Sequence, residues 1–108
     1  MNDETVPWSE QYRAAAEEYA DKESAAQLLE DLKSVVMAQK QTAMGDIPVN
    51  RAEQSVKASP QWQEYVESCV AARKEANMAK AQCEYLRMKF QEFQSKEANA
   101  RAEIRLTT

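Results

Sequence analysis

Residues 60–105, PQWQEYVESCVAARKEANMAKAQCEYLRMKFQEFQSKEANARAEIR, decide the fold. Counted in sevens, Trp62, Cys69, Ala76, Cys83, Phe90, Glu97 and Ile104 make one column. Tyr65, Ala72, Ala79, Leu86, Phe93 and Ala100 make a second, three residues further on each time. Only Glu97 breaks the apolar pattern. A seam kept over about six heptads predicts coiled-coil-like packing against another helix, and about 45 helical residues at 1.5 Å each would reach roughly 68 Å. Such a seam carries an architecture and a surface, with no chemistry of its own.

Outward from this stretch the boundaries are marked by capping residues. Ser59-Pro60 is an N-cap residue followed by a first-turn proline, which has no N–H to leave unbonded. Gly45, the only glycine, can take the left-handed conformation that ends a helix, and Asp46 to Val49 with Pro48 form the turn. Asn50 and Glu53 have capping-box spacing, which predicts a short helix over 50–57. Upstream, Pro7 opens a helix whose stripe is Trp8, Tyr12, Ala15 or Ala16, and Tyr19. The polar run Asp21 to Ser24 interrupts it, and it resumes slightly rotated as Ala25, Leu28, Leu29, Leu32, Val35 and Val36. One curved helix or two helices meeting near Asp21 both fit; the absence of Gly or Pro at the junction favours one. Met1 to Val6 is polar and is expected to fray. The chain thus reads as a single domain, 1–108, with a helix over 7–44, a connection over 45–59 and a helix over 60–105.

Two long helices with a compact connection fold back as an antiparallel hairpin. Facing residue numbers are expected to add to about 104, given equal rises along both helices, which sets Leu28 and Leu32 against Ala76 and Ala72. Large then faces small. Residues 1–50 hold 10 acidic and 4 basic side chains, net −6, and residues 51–108 hold 8 and 10, net +2. Arg73, Lys80, Arg87 and Arg101 recur beside the seam, with Glu17, Glu18, Asp21, Glu30 and Asp31 as expected partners.

Composition agrees with an all-α chain: one Gly and three Pro in 108 residues, with many Ala, Glu, Gln, Lys and Met. No stretch approaches about 18 uncharged apolar residues, and acidic Asp3 and Glu4 stand where a secretion signal would be basic. A cytoplasmic location, with no membrane partner, is expected. Cys69 and Cys83, two heptads or roughly 21 Å apart on one helix, are too distant for an intramolecular disulfide and read as small core residues. With no His there is no Ser/His or Cys/His pair and no histidine metal ligand, and one Gly allows neither a dinucleotide fingerprint nor a phosphate loop. Glu17, Glu18, Glu64 and Glu67 lie among basic residues as solvated faces do. The expectation is a protein without catalytic residues, metal or cofactor.

Two surfaces remain. Arg87, Lys89, Lys96, Arg101 and Arg105 crowd the last third with Phe90 and Phe93, a mixture that could stack single-stranded nucleic acid. Against it, both Phe residues lie in the core columns, Glu84, Glu92, Glu97 and Glu103 dilute the charge, and the chain is net −4. A solvated, ion-paired face is the stronger reading; an acidic mimic of DNA in the first half is a minor one. On the far side of the long helix Ala71, Met78, Ala81, Tyr85 and Met88 make a second apolar stripe. Scattered exposed residues would account for it, but methionines suit an adaptable interface. A two-fold pairing of hairpins into a four-helix bundle would cover it, so a homodimer or larger oligomer is expected.

The segments ESAAQLLEDLKSVVMAQ (23–39), GDIPVNRAEQSVKASPQWQEY (45–65) and RMKFQEFQSKEANARAEIR (87–105) resemble a family of small helical-hairpin proteins of tailed phages and prophages. Its members are encoded in early regions beside recombination or single-strand-annealing genes. In relatives an aromatic and QS precede a small-residue, Arg-rich end, as Phe93, Gln94, Ser95 and Arg101 do here, although relatives often carry Trp at the position of Phe93. The resemblance implies a phage accessory protein of the bacterial host cytoplasm and supplies no catalytic residues. It points to binding a phage or host protein in DNA recombination or replication. The alternatives are an inhibitor of a host defence or nuclease complex, and single-strand binding.

Overall fold

The computed structural model of the chain describes residues 6–107. Of the stretch Met1 to Val6 expected to fray, residues 1–5 lie outside them, and the Val6 carbonyl accepts a hydrogen bond from Gln11 Nε2 at 2.9 Å. Four helices follow one another: α1 Trp8–Asp31, α2 Lys33–Ala43, α3 Val49–Lys57 and α4 Pro60–Thr107. The fold is all-α, with antiparallel helices in hairpin order. It divides into two compact units, residues 21–77 and a second formed by the chain up to Ala20 together with residues from Met78 onward.

In the 21–77 unit the direction of pairing is read from its bonds. Lys22 Nζ meets Glu75 at 3.3 Å, Arg73 reaches Glu23 at 2.6 Å and Glu30 at 2.8 Å, and the Tyr65 hydroxyl donates to the Leu29 carbonyl. Higher numbers on α1 meet lower numbers on α4, so the helices are antiparallel. Contacting numbers add to between 94 and 103, most of them to about 97 against the expected 104, a shift of several residues. The cause is α3. Its buried Ala52 and Val56 give it an apolar face, and it packs against α2. The end of α2 is thereby taken by α3, and α4 begins opposite an earlier stretch of the first arm.

The seam itself departs from expectation. The buried or half-buried positions of α1 include Trp8, Ala15, Lys22 and Leu29 in one column of sevens, and Tyr12, Tyr19 and Ala26 in another, with Ala16 and Glu23 at the edge. No rotation occurs at Asp21. The heptad instead runs straight through polar Lys22, whose stem covers the seam while its ammonium finds Glu75. Leu28, expected against Ala76, is 59 % exposed, and Leu32 and Val35 are exposed as well. Ala26 and Ala76 are the residues with no exposure at all. Small side chains on both helices hold this seam, and the expected large-against-small pairing is not what the unit uses.

The first arm is continuous through Asp21, as favoured, but is interrupted at Leu32, whose ψ of −6° has left the ideal helical value. The acceptor one turn before Lys33 is the Leu29 carbonyl, and it receives the Tyr65 hydroxyl and, at 3.9 Å, Cys69 Sγ. The Leu32 N–H still bonds the Leu28 carbonyl at 3.0 Å and the Val36 N–H bonds the Leu32 carbonyl at 2.9 Å, so the interruption is a local distortion beside the carbonyl that takes the Tyr65 hydroxyl. Further on, Gly45 takes φ +84° and its N–H bonds the Thr42 carbonyl at 3.2 Å, ending α2. α3 starts one residue before the expected capping box: Pro48 is its N-cap, Asn50 lies within the helix, and Glu53 pairs with Lys57 at 2.9 Å. Ser59 does cap α4. Its Oγ accepts the Trp62 N–H at 3.2 Å and donates to the Val56 carbonyl at 2.6 Å, tying the end of α3 to the start of α4. Trp62 is buried and stacks on Tyr65, with ring centroids 5.7 Å apart.

In the other unit Ala15 and Leu86 are buried, and Trp8 shares a shallow hollow of 140 Å³ with Lys89, Glu92, Phe93 and Lys96. The first residue of α1 therefore sits beside these positions of α4. From Gln91 to Thr107 every residue of α4 is exposed, Phe93, Ala100 and Ile104 of the core columns included.

The alanine seam yields an asymmetric pair of stability effects. Ala26→Leu should overpack the seam and cost about 1–3 kcal/mol, whereas Leu28→Ala, at an exposed position, should stay within about 0.5 kcal/mol of the parent. Urea unfolding followed by circular dichroism checks both values.

Candidate protein-binding surface

A helix of 48 residues cannot hide more than a stripe of itself against one partner helix, so the identity of its other faces is informative. In the unit from Met78 onward, Met78 is 64 %, Tyr85 48 % and Met88 58 % exposed, and Ala81 is exposed between them. These positions recur at spacings of seven and three, away from Leu86 in the seam. Ala71, the remaining member of the expected stripe, is also exposed but belongs to the 21–77 unit. The surface brought together in one unit is thus Met78, Ala81, Tyr85 and Met88.

Its polar edge is defined by Lys89, whose ammonium lies 5.7 Å from the centre of the Tyr85 ring, within range of a cation–π contact. Lys89 also meets Glu92 at 3.6 Å, and Lys96 meets the same carboxylate at 3.1 Å. The hydrogen bond from Lys96, and next the charge of Lys89, hold the Glu92 carboxyl below its ordinary value of 4.5. Of the five basic residues considered for nucleic acid, then, Lys89 and Lys96 are engaged by one glutamate. Arg87, Arg101 and Arg105 are exposed. The row is less concentrated than its sequence suggests.

A second apolar surface was not legible as such. Leu28, Leu32 and Val35 line the outside of the first arm, and Met44, Ile47 and Val49 are exposed around the turn, beside a hollow of 280 Å³ lined also by Ala38, Gln41, Thr42, Gly45 and Ala52. Strict counting in sevens from Trp8 and Tyr12, through Lys22, would have moved the leucines out of the seam. The most firmly held charge of the 21–77 unit is Arg73, with two bonds to Glu30 and one to Glu23. Of the expected acidic partners it uses Glu30, while Glu23 was not anticipated. The hydrogen bond from Arg73 lowers the Glu30 carboxyl from 4.5. Among the described residues no group of three or more His, Cys, Asp or Glu converges as a metal site would, and no helix is long and apolar enough to cross a membrane.

These features define a class: an all-α helical-hairpin protein whose distinctive surface is an outward apolar face on α4. Compared with protein-family models, curated proteins and solved structures, the chain matches none.

The lowered carboxyls fix the sign of a pH effect. Because the folded-state values of Glu30 and Glu92 lie below the ordinary 4.5, their stabilisation is complete above that value and is lost as pH falls through the folded values. The urea midpoint should therefore fall on acidification through and below pH 4.5, and fall less in an Arg73→Gln variant, whose Glu30 has no guanidinium to lose. Equal pH dependence of the two proteins would contradict this assignment.

Proposed function

We propose that this chain acts by binding another protein through the outer face of α4, as a non-enzymatic accessory of phage DNA recombination or replication in the bacterial cytoplasm. The carrying observation is the exposure of Met78, Tyr85 and Met88 together on one side of one helix. Apolar surface left in water favours a cover at about 25 cal/mol per Å², before the entropic losses of association. Methionine adapts to irregular partner surfaces, and Tyr85 with Lys89 at its edge adds the amphipathic contact common at interfaces. The recombination setting is supported by the resemblance of residues 23–39, 45–65 and 87–105 to phage early-region proteins.

Direct nucleic-acid binding is weakened by Glu92, which engages two of the basic side chains, and by a net charge of −4. Co-purification from phage-infected cells tests the proposal, using the parent chain and a Tyr85→Glu, Met88→Lys variant. Recovery of a recombinase or single-strand-binding protein by the parent, lost in the variant, is expected. Recovery of a host defence or nuclease component would replace the recombination role with inhibition. A partner held equally by the variant would remove the outer face of α4 from the interface.

A further inference from the structure

We infer that the C-terminal part of α4, residues 93–104, pairs with the same segment of a second copy of this chain, antiparallel, about a two-fold axis between Ala98 and Asn99. The inference is independent of any partner on the Met78–Met88 face. It begins from continuity with the seam. The two heptad columns of α4 do not stop where α1 begins: Trp8, the first residue of α1, stands beside Lys89, Glu92, Phe93 and Lys96, and beyond it Ala100 and Ile104 prolong the same columns in the exposed part of the helix.

The occupant follows from charge. Glu97 is the one charged residue of its column, and the exposed segment is where it falls. A parallel pair of copies would set Glu97 against Glu97, like charges in a core position. In an antiparallel pair each residue of the first column meets the second column of its partner, so Phe93 opposes Ile104 and Glu97 opposes Ala100. One residue along, Arg101 of the second copy then lies beside Glu97. On the opposite flank Lys96 faces Glu103. Two-fold symmetry repeats each pair, so a single surface is complementary to itself. Within one chain Glu97, Arg101 and Glu103 hold no salt bridge among the described residues, although Glu97 and Arg101 stand four apart on one helix; Lys96 already meets Glu92 at 3.1 Å and would share that contact to reach Glu103. A charged core position that weakens pairing but fixes register and orientation is a known device of coiled coils, and here it accounts for the one break in the α4 heptads.

Sedimentation equilibrium of the full chain tests the pairing, with Glu97→Arg, Arg101→Glu and the double variant compared at low and high salt. Circular dichroism verifies that all remain helical. The expected result is a dimer that dissociates more readily in salt. Each single variant should weaken the dimer by about ten-fold or more, and the double variant, in which the charges are exchanged, should recover it. A parent chain that stays monomeric from micromolar to millimolar concentration overturns the inference. So do single variants with the parent dissociation constant, or a double variant as weak as the singles.

Discussion

Close approach of two helices at alanine is the constraint on which the 21–77 unit rests. Ala26 and Ala76 are fully buried, and side chains no larger than a methyl group at such positions let backbones come together. Only with α1 near α4 can a tyrosine on one reach a main-chain carbonyl of the other, as Tyr65 does at Leu29. The same proximity lets Arg73 span both Glu23 and Glu30, seven residues apart on α1, and so fix register by two carboxylates at once. These ion pairs are half-exposed and screened by water, so their effect is on alignment more than on stability.

The interruption at Leu32 lies beside this approach: the Leu29 carbonyl that accepts the Tyr65 hydroxyl belongs to the last turn of α1, and the Leu32 N–H still bonds the Leu28 carbonyl at 3.0 Å. Partial desolvation, and next the neighbouring Cys69, push the Tyr65 hydroxyl above its ordinary value. α2 then carries Val35 outward, beside exposed Leu32 at its N-cap, and packs against α3. The short helix matters too, because by packing on α2 it occupies the end of the first arm, and most pairings of the 21–77 unit fall several residues short of the sum expected for a simple hairpin.

The consequence for function is a chain whose apolar residues exceed what its seam can cover. Met78, Tyr85 and Met88 on α4, and Leu28 and Val35 on the first arm, face water in numbers that a surface helix does not need. Apolar faces with charged edges are features by which helical proteins recognise other helices or themselves.

The sequence by itself determined the helices of this protein, because heptad columns, Ser59-Pro60 and Gly45 act locally: a cap bonds to N–H groups three residues away, and a left-handed glycine ends the turn before it. It determined the outward stripe of α4 too, since seven-residue spacing on one continuous helix needs no partner to be read. Which residues of the first arm enter the seam was decided only by tertiary structure. Leucine outranks lysine in any count of hydrophobicity, yet Lys22 lies in the seam and Leu28 outside it, because register across a pair of helices is collective: a turn rotated to bury Leu28 would withdraw Ala26 and Leu29 together with the bonds of Tyr65 and Arg73. The heptad of the arm and the packing of α3 are shared by many residues, and no single one of them shows the choice.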